Sequence, residues 1–408
     1  MKFWWRFLGG LLIILGVFQP MVQAAAVGTD VTAKAGIVVD VKTGQVLAAH
    51  DDRERLPIAS LSKLMVIYLT EQAVQNGKIK HNQVVHVSKQ VADFSQDSQV
   101  ANVPMTVDQG YTVEQLESAA LIASANGAAI ALADLVFGSQ DAYYQAVNQL
   151  LASWGIHNAQ IASASGLSQG DMGTFKSDHL DDVVENKLSA REIALVSLHL
   201  VQDYPPILKI TAQNSADFPD KNGQPAKMET TNPLFKSTDF KFKGLKTGLT
   251  PNDGFNVVGY TWLKGRPVIT VILNADKKNV LNDTEKMLKQ VDNQTSLKQL
   301  NPTQQIYVKN AATKASVVTV KPQKPLTVFA QKDELLTQQT LKLTDKHLAA
   351  PVAKDQVVAT QQVEFKDAQL DDYLQNRPIL QYQTQQRVKV ANPLQIIWDQ
   401  LKEIVRHW

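Results

Sequence analysis

The chain has 408 residues, 44% of them hydrophobic and 20% charged, with a formal net charge of +2 and no cysteine. This is globular composition, long enough for two ordinary domains. It excludes disulfides, thiolate metal sites and cysteine nucleophiles, and its charge gives no footprint for nucleic-acid binding.

The first residues read as a secretory leader. Lys2 and Arg6 give a positive start, Phe7 to Phe18 is apolar apart from glycine, and Val22-Gln23-Ala24 is a small-x-small cleavage site. The apolar run is shorter than the ~20 residues of a comfortable membrane span, so the leader is preferred over an uncleaved anchor, and the mature chain is expected to begin near Ala25.

Gly36-Ile37-Val38-Val39, the turn Lys42-Thr43-Gly44 and the return Gln45-Val46-Leu47 predict a hairpin over 35–49. Pro57 introduces a helix from about Ser60 to Val74. Residues 82–110 are polar and predict loops and short ribbons. Thr112-Val113-Glu114-Gln115 resembles a capping box and opens a helix toward Ser124, while Gly127 to Phe137 is apolar on every side and predicts a buried helix. Asp141 to Trp154 is amphipathic. The acidic stretch 165–188 predicts an exposed loop, and Ser189 starts a helix through Val201. Three strands follow, Phe242 to Leu249, Asn256 to Trp262 and Val268 to Leu273, with Lys264-Gly265 as the last turn, then a helix from Val280 to Val291. Beyond Leu300 short alternating runs such as Ser316-Val317-Val318-Thr319-Val320 predict a small all-β module. Asn392 and Pro393 open a final helix, which places Leu394, Ile397, Trp398, Leu401, Ile404, Val405 and Trp408 on one face and Asp399, Lys402, Glu403, Arg406 and His407 opposite.

Three strings carry chemistry in this order: Ser60-Leu61-Ser62-Lys63, Ser124-Ala125-Asn126 and Lys246-Thr247-Gly248. Residues three apart on a helix share a face, with about 5–6 Å between Cβ atoms, so Lys63 can reach Ser60. A serine hydroxyl needs a base to become a nucleophile, and a lysine whose pKa is lowered by burial can serve. Ser124 can relay a proton, and Asn126 can hold a substrate carbonyl or fix the lysine. Lys246 and Thr247 on an edge strand can bind a carboxylate, with Gly248 allowing the substrate backbone to approach. The backbone N–H groups of Ser60 and Leu249 would form an oxyanion hole. Each string alone is a weak signal. Lys42-Thr43-Gly44 repeats the last one, but it precedes Ser60 on a hairpin turn and is given no role.

Together the strings resemble the S-x-x-K, S-x-N and K-T-G set of penicillin-binding proteins and class A β-lactamases. The whole layout is most similar to the low-molecular-mass D-alanyl-D-alanine carboxypeptidases, through Pro57-Ile58-Ala59-Ser60-Leu61-Ser62-Lys63-Leu64-Met65, Thr231-Asn232-Pro233-Leu234 and Gly244-Leu245-Lys246-Thr247-Gly248. The resemblance implies an α+β penicillin-binding/β-lactamase-like domain, an antiparallel sheet flanked by helices, followed by a small β domain and an amphipathic helix. It implies Ser60 as the acylated nucleophile, Lys63 as proton acceptor, Ser124 and Asn126 completing the site, and Lys246 on the substrate carboxylate with Thr247 and Thr250. The substrate would be a peptidoglycan stem pentapeptide ending in D-Ala-D-Ala, with β-lactams acylating the same serine and no cofactor or metal. Gly127 stands where the family often has Asp, and Thr231 where some members have Arg; these differences bear on substrate affinity more than on reaction type.

The expected division is 1–24 leader, 25–297 peptidase domain, 298–391 β domain and 392–408 helix, the last lying on the outer face of the cell membrane. Two other readings stay open: a class A-like β-lactamase, for which Glu185-Asn186-Lys187-Leu188-Ser189 is a near match to the second-base string, and a non-catalytic wall-binding protein on the same scaffold. The final helix could alternatively dock on the β domain or dimerise.

Overall fold

A computed structural model describes residues 31–406 except 221, 251–253, 314–315, 333–335, 339–340 and 366–369. The predicted leader lies outside the described residues, as do His407 and Trp408.

A five-stranded antiparallel sheet is the frame. Its order is Val46–His50, Ala35–Asp40, Arg266–Ala275, Gly254–Leu263, Leu245–Thr250. Successive side chains on a strand point to opposite faces, and here both faces are covered. Ile37, Val39, Val258, Ile269 and Val271 pack with the larger helical core, whereas Val38, Val257 and Ile272 pack with Met287, Leu288 and Val291 of the Val280–Gln294 helix. That explains why these strands read as continuous apolar runs. Each fully buried aliphatic side chain contributes roughly 1.5–3 kcal/mol.

The larger face carries the Lys63–Gln75 helix, buried nearly all round, with the Asn126–Phe137 and Ala190–Asp203 helices against it. The predicted capping box at Thr112 is present and opens Val113–Leu121; Ser189 and Glu192 form a second. These caps satisfy N–H groups that the first helical turn leaves without partners.

Two expectations change. Residues 82–110 hold a helix, Lys89–Ser95, capped by Ser88 accepting from Val91 N, besides the short strands Val84–His86 and Gly110–Thr112. Seven residues carry too little periodicity to show against a polar background. The stretch 165–188 is not simply an exposed loop. Its acidic residues are outside, but Ser165, Gln169, Met172, Asn186 and Leu188 are buried, because its two ends turn inward to the core.

After Gln294 the chain turns at once into the strand Thr295–Leu300, paired with Leu326–Gln331. A second sheet runs Gln304–Tyr307, Val317–Pro322, Ile379–Thr384, Val357–Phe365, Leu336–Gln338, and its Val317–Pro322 strand alternates strictly: Val318 and Val320 are buried between exposed Val317, Thr319 and Lys321. Two stitches join this region to the sheet domain, one at the first hairpin and one at the start of the Ala190–Asp203 helix. The Gln45 side chain donates to Phe329 O and Leu370 O and accepts from Phe329 N, and the Arg191 guanidinium holds both Asp52 and Asp372. The last helix spans Pro393–Arg406.

Candidate active site

The Lys63–Gln75 helix is preceded by a tight 3-10 turn, Ala59–Ser62, which places Ser60 and Lys63 on one side. Ala59, just before Ser60, is held at φ 46°, and Ser124 at φ 61°. Left-handed backbone at a non-glycine residue costs about 1–3 kcal/mol and persists only where the surroundings enforce it. Both strained residues flank the same cluster.

Lys63 is fully buried. Its Nζ lies 2.8 Å from Ser60 Oγ, 2.6 Å from Asn126 Oδ1 and 2.7 Å from Ser165 O. Burial, with the charge of Lys246 added, lowers its pKa well below the ordinary lysine value. A neutral amine has two protons and one lone pair. Asn126 Oδ1 and Ser165 O can only accept, so they take the two protons and leave the lone pair facing the Ser60 hydroxyl.

Lys246, 1% exposed, donates to Ser124 Oγ and Thr247 O, each at 2.9 Å. Burial lowers its pKa to about 7. Thr247 Oγ1 lies 2.6 Å from Thr231 Oγ1. The structure therefore brings Ser60, Lys63, Ser124, Asn126, Lys246 and Thr247 together, with Leu249 exposed and Thr250 on the rim of an adjoining cleft of about 350 Å³.

Gly248, expected to let a substrate backbone approach, has a further reason to lack a side chain: a Cβ there would sit 2.7 Å from Ile58 O and 3.2 Å from Ser60 N. The missing side chain lets the edge strand close on the nucleophile turn. The second copy, Lys42-Thr43-Gly44, is a turn tied to Asp40 by the Thr43 amide and hydroxyl.

Sequence reasoning missed the supports behind this cluster. Asn186 Nδ2 donates to Ser62 Oγ at 2.8 Å, and Ser62 Oγ donates to Ala59 O at 2.6 Å, which fixes the turn from beneath. Gly166 stands at φ 89°, where any Cβ would overlap the Ala59 carbonyl. Asn256 Nδ2 reaches Pro57 O at 3.0 Å. The signal for Asn186 was its place just before the capped helix, where the apparent loop had to turn inward.

Residues 21–277 match the family model described as D-alanyl-D-alanine carboxypeptidase. The chain belongs to that family. It is thereby a serine peptidase of the hydrolase class. It is 30% identical over 280 residues to the D-alanyl-D-alanine carboxypeptidase DacC of Escherichia coli (strain K12), a match spanning 67% of this chain and 65% of that relative, so it spans about two thirds of that relative's length. Among solved structures it resembles a peptidoglycan synthesis regulatory factor, PBP3, of Streptococcus pneumoniae, with a TM-score of 0.78 and 29% identity over 88% of this chain and 100% of that one. It also resembles penicillin-binding protein D2 of Listeria monocytogenes in its cefotaxime-bound form, with a TM-score of 0.54 and 27% identity over 64% of this chain and 98% of that one. The family membership accounts for the order of the three strings, and the α+β fold is the one expected from them.

Proposed function

We propose that this carboxypeptidase removes the terminal D-Ala from peptidoglycan stem pentapeptides through an acyl-enzyme on Ser60. The observation that carries the reading is the two-acceptor cage around Lys63, which turns its lone pair toward Ser60 Oγ. Ser60 attacks the carbonyl of the penultimate D-Ala, and its proton passes to Lys63 Nζ. The peptide C–N bond breaks. The proton leaves with the amine of the terminal D-Ala, relayed by Ser124. Water then attacks the ester, giving up its proton to Lys63, and releases the tetrapeptide with Ser60 restored. Ser60 N and Leu249 N supply the oxyanion donors, each typically worth about 100- to 1000-fold. Lys246, with Thr247 and Thr250, receives the terminal carboxylate.

A β-lactam presents the same acyl group and carboxylate, so it acylates Ser60 too. Fluorescent penicillin is expected to label the wild type and not Ser60→Ala, and the wild type is expected to release D-Ala from a synthetic D-Ala-D-Ala pentapeptide. An unlabelled wild type would favour the wall-binding reading; rapid turnover of penicillin would favour the lactamase.

The chain works at the cell envelope, where its substrate lies, and the leader over 1–24 would carry it there. The expected boundary between domains 25–297 and 298–391 falls inside the strand Thr295–Leu300, and the passage from helix to strand at Gln294 and Thr295 supports a division three residues earlier. Leu394, Ile397, Trp398 and Leu401 are 80%, 54%, 60% and 51% exposed, which supports a helix lying on the outer membrane-water interface. Among the described residues no helix is long and apolar enough to cross a membrane. A chain ending at Asn392 is expected to leave membranes; equal retention of both forms would refute the anchor.

A further inference from the structure

A second cluster of titratable side chains lies outside the serine site. Glu71 stands two turns beyond Lys63 on its helix, Glu117 is on the Val113–Leu121 helix, and His81 is in the connection that follows Gln75. Glu117 is fully buried, yet neither of its carboxylate oxygens has a hydrogen-bond partner among the described residues. A buried carboxylate is normally paired or bound to metal, because losing hydration costs several kcal/mol. The opposing group is one imidazole. His81 Nε2 is 3.2 Å from both Glu71 oxygens and 3.9 Å from Glu117 Oε2. One ligand atom from each of the three residues can be chosen so that all lie within 4.8 Å of one another.

A divalent cation seated among these three side chains would give the buried Glu117 carboxylate the partner it lacks. One nitrogen and two carboxylate donors, without sulfur, suit a four-coordinate ion of the zinc type better than magnesium or calcium, which favour all-oxygen shells. We propose that Glu71, His81 and Glu117 bind a divalent zinc-type ion that braces the Lys63 helix against the helix leading to Ser124-Ala125-Asn126. The His81 side chain is 43% exposed, so the ion can enter past it and keep a water as fourth ligand. The brace has no part in the acyl transfer.

The test uses the purified full chain, stripped with a chelator and titrated calorimetrically with Zn²⁺, with Mg²⁺ run in parallel and metal content measured directly. Wild type is expected to bind one Zn²⁺ per chain, with a raised Tm, and to ignore equimolar Mg²⁺. His81→Ala, at a partly exposed position, tests binding without endangering the core, and Glu117→Gln tests the buried ligand. Each is expected to weaken Zn²⁺ binding by more than the ~10- to 100-fold that losing an outer partner of a metal ligand costs. Penicillin labelling verifies that each variant is folded. Zinc uptake by wild type no tighter than by folded His81→Ala overturns the proposal, as does an equal response to Mg²⁺.

Discussion

The peptidase region and the β region bury different chemistry. Around the five-stranded sheet Lys63, Asn126, Asn186, Lys246 and Asn256 are at most 1% exposed, two of them lysines. In the β region the described core is Val318, Val320, Val352, Val358, Leu380 and Tyr382, with Gln361 and Thr384 among the few buried polar groups. Burying a lysine costs free energy, and a region selected for stability alone would replace it by an apolar residue of similar volume. Both regions have apolar cores, but only the peptidase region also buries lysines, which separates the part that holds such groups out of water from the part that supports it.

The sharpest way to break this contrast is at Lys63. Lys63→Ala removes the proposed proton acceptor, and D-Ala release is expected to fall by about 10²- to 10⁴-fold, measured as kcat with a pentapeptide. A folded variant of normal activity would remove the general base from the mechanism.

Next comes the pH dependence. Lys246 is cationic below about pH 7 in the free enzyme and neutral above it. kcat/KM for a free-carboxylate substrate is therefore expected to decline above about pH 7, whereas an esterified substrate should lack that alkaline limb. The stability sign follows from the same shift. The folded pKa lies below the ~10.4 of an unfolded lysine, so between those values the unfolded chain binds more protons and stability rises with pH. Lys246→Met should flatten that slope while abolishing carboxylate recognition; denaturant melts at pH 7 and pH 9 check it.

Asn186→Ala tests the support beneath the nucleophile. It leaves Ser62 Oγ without its donor and Ala162 N and Ser163 N without their acceptor. The expected cost is about 1–3 kcal/mol for each buried group left unpaired, with a slower acylation by penicillin. The smallest effect on activity is expected from Leu380→Ala in the β sheet. It should cost about 2–5 kcal/mol of stability, seen as a lower melting transition, and leave kcat on a soluble pentapeptide unchanged. A large fall in kcat there would dissolve the contrast.

Much of this was legible beforehand because local patterns and tertiary packing agree. The apolar runs of the central strands, the capping box at Thr112 and the three candidate site strings lie in short stretches of sequence. Lys63 could be paired with Ser60 from helical spacing alone. What stayed hidden depends on contacts between distant segments. Asn186 reaches Ser62 across 124 residues and Lys63 reaches Ser165 O across 102, so nothing local marks either partner. The packing role of Gly248 was hidden for the same reason, since the atoms crowding it belong to residues 58–60. The Lys89–Ser95 helix was too short to stand out.

The stitches made by Gln45 and Arg191 define a path for mechanical load. Any pull on the β sheet would transmit tension through Phe329, Leu370 and Asp372 into the first hairpin and the capped start of the Ala190–Asp203 helix. The catalytic frame would then turn together with its support, and tethering one end would set the direction in which the serine meets the wall.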